Sequence, residues 1–224
     1  MTNDAFFSAL AALNAEYWWA RAALTLAAIW LFIDLARRAP WAQVGLKVAL
    51  AATCVTVGVL FYGVFLPGSL PPDVPRLYGV WLHRIGSVAF VVAGIVGLAD
   101  AARDGTSLVL PERGWRLGVV LAAAVLGLGF PAFELLMGHI YPEAQAFGVA
   151  PAPIVVALLP LLGASRLTGA AGRVWFWLMV LPALELGILA PLFGLPHAQP
   201  VALLAVAAGV VMRLRGQPSD VTGA

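Results

Sequence analysis

The chain has 224 residues, of which 62% are hydrophobic and only 11% are charged, and its mean hydropathy is +0.95. An average soluble domain is about 25% charged, so this chain is too poor in charge to cover a surface that faces water. We therefore expect its apolar side chains to face lipid. The net charge of +2 is too small and too dispersed for a nucleic-acid-binding stripe. The single cysteine, Cys54, excludes a disulfide within the chain and a cysteine-based metal site.

Seven apolar segments follow one another along the chain and use up nearly all of it. We predict an all-α polytopic bundle of about seven transmembrane spans, formed by residues 1–215 as one domain and followed by a short disordered tail, residues 216–224. The predicted spans are residues 18–35, 44–66, 78–98, 117–137, 151–164, 174–193 and 200–212. The fifth is short for a hydrocarbon core of about 30 Å. A tilted or re-entrant fifth segment, with six spans in total, therefore stays open.

The positive charges indicate an orientation. Three of them, Arg21, Arg76 and Arg84, fall at one set of segment ends, and all the others fall at ends that alternate to the opposite side. The second group consists of Arg37, Arg38, Lys47, Arg103, Arg113, Arg116, Arg166, Arg173, Arg213 and Arg215. Because loops rich in Lys and Arg stay in the cytoplasm, we predict an external N-terminus and a cytoplasmic C-terminus.

Four ionisable residues are predicted to lie in the outer half of the bundle, namely Arg21, Arg84, Glu134 and Glu185. Such residues are costly inside a membrane and are candidates for function. Glu185 is the deepest, and Pro182 just before it removes a helix donor. One interpretation is a polar cavity open to the outside, with the two glutamates as cation or proton ligands and Arg84 as their counter-charge. The alternative is that Arg–Glu pairs lock the helices together, or that Arg21 and Glu134 snorkel to the surface.

The three histidines, His83, His139 and His197, also belong to the outer half or to the external turns. They are weak candidates for a metal site or for haem ligation. No two of them have the i, i+3 or i, i+4 spacing that would place them on one helix face. Hydrogen bonding at the membrane interface is the commoner role of such histidines. The sequence thus leaves any cofactor unknown.

An external turn carries the most specific pattern in the chain. Residues 138–142 read Gly-His-Ile-Tyr-Pro and are followed by Phe147-Gly148 and two prolines, Pro151 and Pro153. This pattern resembles a bacterial family of multi-spanning membrane proteins that is known only as a domain of unknown function. In that family a Pro-Cys-Pro-Thr run follows the Phe-Gly, whereas residues 149–153 here read Val-Ala-Pro-Ala-Pro, without thiol or hydroxyl. The resemblance implies a fold and a location for function but no reaction.

The turn is also predicted to be an ordered element packed against the bundle. We expect Tyr141 and Phe147 to point inward and His139 to lie within reach of Glu134, because the prolines restrict the chain and Phe147 supplies an apolar side chain to bury. Tyr141 and His139 therefore join the four charged residues as candidates for ligand or ion binding.

These observations leave three classes of function. The first is transport of an ion or a small solute through a polar site in the outer half. The second is a non-catalytic accessory or scaffold subunit of a larger membrane complex, and the third is a haem- or metal-binding redox protein. No catalytic residues are predicted, and enzyme activity is the least favoured. The expected location is the bacterial cytoplasmic (inner) membrane, with the lipid bilayer and other membrane subunits as partners and no nucleic acid.

Overall fold

The computed structural model describes residues 3–69, 76–103, 106–138, 144–145, 147–148, 150–167, 169–189 and 198–215. For residues 3–6, 8–9, 68–69, 76–83, 185–189 and 198–199 it describes the backbone alone. The protein is about 84% helical, which confirms the expected all-α fold. Its helices are α1 (Asn3–Glu16), α2 (Trp18–Ala36), α3 (Ala42–Thr56), α4 (Leu66–Ser69), α5 (Arg76–Arg103), α6 (Trp115–Leu128), α7 (Phe130–Leu136), α8 (Pro151–Ala164), α9 (Ala170–Leu189) and α10 (Ala198–Arg215).

Two further elements complete the fold. A π-helix, Val57–Phe65, continues α3 toward α4. Strands β1 (Thr106–Ser107) and β2 (Arg166–Leu167) pair antiparallel, with Thr106 opposite Leu167 and Ser107 opposite Arg166. The sequence pattern did not indicate this small sheet. It brings the segment after α5 next to the segment after α8, and both take part in the sites described below.

Three helical stretches are long and apolar enough to cross a membrane, namely Trp18–Ala36, Ala42–Phe65 and Arg84–Arg103. A fourth span exists if α6 and α7 are counted together, although they are bent by 74°. Shorter apolar helices cover Pro151–Ala164 and Ala170–Leu184. The expected boundaries of the first, second and fifth segments agree with α2, with α3 plus the π-helix, and with α8. The total of seven spans stays a prediction.

Helix α8 forms the centre of the bundle. Every residue from Pro151 to Gly163 is buried, because α3, α6, α9 and α10 pack around it. Gly163 allows the closest of these approaches, since a Cβ at this position would clash with the backbone of Gly209 in α10. At about 21 Å the helix is short for a span. Its sequence is apolar on all sides because all its sides meet protein.

Helix α1 was not predicted. Phe7, Leu10 and Leu13 recur at every third residue and are buried against α4 and the π-helix. This spacing places the three side chains on one face of a helix. The chain before the first predicted span is therefore part of the packed fold.

The fourth predicted span is interrupted, so the expectation of one continuous helix over 117–137 was wrong. Helix α6 ends where the Gly129 N–H bonds to the carbonyl of Val125, at 2.8 Å. Helix α7 then starts in a new direction with Pro131 in its first turn. Glycine ends helices easily and proline fits their first turn without losing a bond. Together they account for the bend.

We name the two ends of the bundle after Arg21, near the start of α2, and Arg38, which follows the end of α2. The Arg21 end contains the start of α2, the end of the π-helix, α7 and the start of α8. The Arg38 end contains the end of α2, the start of α3, the end of α5, both strands and the start of α6. Arg21 and Arg38 are 17 residues apart, which is about 25 Å along a helix.

Candidate functional site

A hydrogen-bonded polar network lies at the Arg21 end. Arg21 Nη1 donates to Asn14 Oδ1 at 3.2 Å, and Asn14 Nδ2 donates to the carbonyl of Ala144 at 2.9 Å. Gln145 Nε2 donates to Glu134 Oε1 at 3.0 Å. Since Ala144 and Gln145 are adjacent, these bonds form one network, which we call the Arg21 network. It joins α1, α2 and α7 through the segment that precedes α8.

That segment is buried against the bundle. Phe147 is 1% exposed, and the hydroxyl of Thr25 in α2 donates to its carbonyl at 3.5 Å. Gly148 has φ +91°, and a Cβ there would lie 3.2 Å from Leu24 Cδ1. Both the left-handed backbone and the close approach to α2 require glycine. The inward position of Phe147 is thus confirmed, whereas Tyr141 and His139 lie outside the described residues.

Glu134 is fully buried, with 0% exposure. The alternative that it snorkels to the surface was wrong, because none of its side chain is exposed. The depth expected from one straight helix does not apply either, because α7 is bent by 74° from α6. A buried carboxylate needs hydrogen-bond donors to offset its lost hydration, and the amide of Gln145 supplies one.

A tyrosine lies beside the network, between α1 and α2. The ring of Tyr17 packs edge-on against Phe65, with the ring centroids 6.1 Å apart. The negative charge of Glu16 raises the pKa of the Tyr17 phenol. The phenol is therefore neutral at physiological pH.

The structure unites only some of the predicted site residues. Arg21 and Glu134 belong to one network, whereas Arg84 is exposed on α5. The backbone of Glu185 lies in α9 just after Pro182, and that of His83 lies in α5, but both side chains are outside those described. His139, Tyr141 and His197 also lie outside the described residues. The roles of all these residues as ligands stay predictions.

A second charged group, at the Arg38 end, was missed by the sequence analysis. Lys47 Nζ of α3 lies 3.1 Å from Asp100 Oδ2 of α5, and the two side chains are 1% and 0% exposed. The hydroxyl of Thr106 in β1 donates to Asp100 Oδ1 at 2.9 Å. Counting Lys47 among the charges at the segment ends was therefore wrong, since its side chain lies inside the bundle. The other nine positive charges of that group still outnumber the three at the opposite ends, so the predicted orientation is unchanged.

The packing around this pair leaves no spare room. Gly172 of α9 lies over it, and a Cβ at that position would clash with Thr106 Oγ1 and lie 3.3 Å from Asp100 Oδ1. Four elements, α3, α5, β1 and α9, thus meet at one neutral ion pair. A buried pair of this kind offsets its desolvation only when its geometry and hydrogen bonds are good. The available signal was a pair of opposite charges, Lys47 near the start of the second apolar segment and Asp100 just after the third.

The described part of the chain has no group of three metal-ligating side chains, and its thiol is buried. Among its residues, no three His, Cys, Asp or Glu side chains are grouped to hold a metal ion. Cys54 is buried with its sulfur 3.7 Å from the sulfur of Met179. Its surroundings are those of a core residue.

Three apolar helices long enough to span a membrane indicate a helical membrane protein. Residues 3–215 match a protein family described as a family of unknown function, DUF6064, and the chain belongs to this family. No curated protein and no solved structure matches the chain. The predicted membership of an uncharacterised family is thus confirmed. The bacterial origin and the significance of the external turn stay predictions.

Proposed function

We propose that this protein transports a cation, a proton or a small solute across the cytoplasmic membrane of a bacterium, with its site in the Arg21 network. The observation that carries the proposal is Glu134, a fully buried carboxylate on a short helix that follows a 74° break in an apolar segment. Transporters build ion and substrate sites from discontinuous helices in this way. A carboxylate inside an apolar bundle is a candidate for function because burying its charge costs free energy.

The composition of the network suits this role. Amide and carboxylate oxygens are ligands for hard cations, and the network offers them on Asn14, Glu134 and Gln145. Gly129 and Gly148 flank the network, and glycines tolerate changes of backbone direction. A rotation of α7 about Gly129 would expose Glu134 to one side of the membrane. Glu185, on α9, is proposed as a second carboxylate of the same pathway.

A specific observation favours a second candidate, a non-catalytic subunit of a larger membrane complex. Asn14, Glu134 and Gln145 are all fully or almost fully buried, as expected for a polar network that locks helices together. In addition, Leu135, Leu136 and Met137 are exposed together at the end of α7. Three neighbouring exposed apolar residues are typical of a contact with lipid or with another subunit.

The test uses purified full-length protein in liposomes, with fluxes of H⁺, Na⁺ and K⁺ measured under an imposed membrane potential. Transport predicts a flux above that of empty liposomes and a loss of at least about tenfold in Glu134→Gln, which keeps an oxygen for Gln145 but loses the charge. The matched control is Glu16→Gln, because Glu16 is exposed at the same end. Wild-type flux in Glu134→Gln would contradict the proposed site. No flux of any of the three ions would contradict transport of a cation or a proton.

We also propose seven spans with an external N-terminus and a cytoplasmic C-terminus, supported by the distribution of arginines at the segment ends. A reporter that is active only in the cytoplasm should work when fused after residue 224 and fail when inserted near residue 143. Activity at the second position and not at the first would reverse the orientation. Equal activity at both would contradict an odd number of spans between residue 143 and the C-terminus.

A further inference from the structure

A groove of about 740 Å³ opens at the Arg38 end, remote from the Arg21 network. Its walls come from the end of α2, the start of α3, residues 107–112 and the start of α6. The polar groups that line it are Arg38, Gln43, Ser107, Glu112 and Arg166. Two guanidinium groups against one carboxylate leave the groove with an excess of positive charge.

The small sheet organises the polar floor of the groove. Ser107 lies directly opposite Arg166 in the β1–β2 pair, so both side chains are presented together. The hydroxyl of Ser107 donates to Gln43 Oε1 at 3.5 Å. Arg166 is exposed, and its guanidinium has five N–H donors. An anion with several oxygens suits this arrangement because guanidinium groups bind phosphate through paired hydrogen bonds.

Arg38 occupies a backbone position that disfavours it. Its φ is +59°, and it is the only non-glycine residue with positive φ among those described. It follows the C-cap of α2, where the Ala39 N–H bonds to the Asp34 carbonyl at 2.9 Å and the Arg38 N–H to the Leu35 carbonyl at 3.0 Å. This pair of bonds defines a Schellman motif, whose left-handed position is usually glycine. A strained arginine there is a reason to look for a role of its side chain.

The carboxylate of Glu112 holds Arg38 in the absence of a ligand. The two groups lie 3.0 Å apart, but their side chains are 80% and 71% exposed. Exposed ion pairs contribute little to stability. An anion that enters the groove therefore competes with Glu112 at little cost.

The rest of the groove is aliphatic and lies where a membrane surface would be. Leu108, Leu110, Leu117 and Leu121 line it, and Leu121 is also exposed on the outer face of α6. Two exposed tryptophans, Trp41 and Trp115, stand at the starts of α3 and α6. Tryptophan concentrates at the level of lipid headgroups. The groove thus has its charged floor at headgroup level and apolar walls that continue toward the acyl chains.

We propose that this groove binds an anionic glycerophospholipid, with Arg38 and Arg166 on the headgroup phosphate and the acyl chains along Leu117 and Leu121. Basic pockets between helices on the cytoplasmic side of membrane proteins bind such headgroups. A zwitterionic lipid fits less well, because its ammonium group would meet the same arginines. The proposal is independent of the transport site at the other end.

Native mass spectrometry of the full-length protein in an uncharged detergent tests it, with phosphatidylglycerol and phosphatidylcholine as probes. We expect phosphatidylglycerol to bind more tightly. Arg166→Gln and Arg38→Gly should each weaken its binding by roughly fivefold, which is the usual effect of one basic residue at a membrane surface. Glu112→Gln should strengthen it, because the competing carboxylate is gone. Arg173→Gln is the matched control, since Arg173 is exposed in α9 at the same end but does not line the groove.

Arg38→Gly also separates binding from folding. Glycine relieves the left-handed backbone, so the lipid-free variant should melt at the wild-type temperature or above it, while phosphatidylglycerol raises its melting temperature less than it raises that of the wild type. Equal binding of the two lipids, or wild-type affinity in both arginine variants, would overturn the proposal. Glycerol 3-phosphate, which has no acyl chains, should not compete. Competition by it at similar concentration would identify a site for a soluble phosphate and contradict the lipid.

Discussion

The two ends of the bundle bury ionisable groups in different ways. At the Arg38 end, Lys47 and Asp100 form a compensated ion pair that Thr106 completes. At the Arg21 end, Glu134 accepts a hydrogen bond from Gln145, an amide on the segment that precedes α8. A compensated pair is costly to break and suits a fixed contact between helices. A contact from a connecting segment is easier to exchange, so we expect the Arg21 end to be the better location for a site that opens and closes.

The largest loss of folding stability should come from breaking the buried ion pair. Lys47→Met leaves the Asp100 carboxylate buried without its cation, and loss of one partner of a buried pair costs about 3–5 kcal/mol. The free energy of unfolding in detergent micelles measures this. Combining Lys47→Met with Asp100→Asn removes both charges and should recover most of the loss. A double variant no more stable than the single one would show that the pair is not a unit.

A smaller loss of folding stability is expected at the Arg21 end. Gln145→Leu removes one buried hydrogen bond to the carboxylate of Glu134, and a hydrogen bond to a charged group contributes about 1.5–3 kcal/mol. Gln43→Leu is the control, because Gln43 is only partly buried and accepts a long bond from Ser107. Its unfolding free energy should stay within about 0.5 kcal/mol of the wild type. If Gln145→Leu destabilised the protein as much as Lys47→Met does, the contrast between the two ends would fail.

The smallest change in folding stability should come from breaking the exposed ion pair between Arg38 and Glu112. Glu112→Gln removes the partner of Arg38, and exposed pairs contribute less than about 1 kcal/mol. Without added anionic lipid, its unfolding should match that of the wild type at both low and high salt. A loss comparable to that of Lys47→Met would mean that burial does not decide the strength of ion pairs in this bundle.

Several boundaries could be predicted because apolar length and proline mark them. Helix α8 begins at Pro151 as expected, since proline is favoured in the first turn of a helix. The break before α7 was not predicted, although Gly129 is typical of a helix end and Pro131 of a first helical turn. In an apolar run of spanning length, these residues are compatible with a straight helix or a kink. Only the packing of α7 and of the described residues just before α8 selects the bend.

The candidate site was predicted in part for a related reason. Arg21 and Glu134 were predicted as site residues because charges are rare in apolar segments, and the structure joins them in one network. Asn14 and Gln145 were not predicted, because uncharged polar residues outside the predicted spans resemble ordinary loop residues. Phe147 was expected to be buried, and it is, two residues after Gln145.

By itself, the sequence determined that the protein is helical and apolar, where several helices begin and end, and which charges are unusual. These properties depend on composition and on interactions between residues that are close in sequence. The tertiary structure decided that Lys47 meets Asp100, that α1 joins the core and that two arginines share a groove. Each of these depends on which helices are neighbours, and the sequence leaves that open because an apolar helix packs almost equally well against many others. Close contacts at a few positions, such as Gly163 on Gly209 and Gly172 over Thr106, settle the choice.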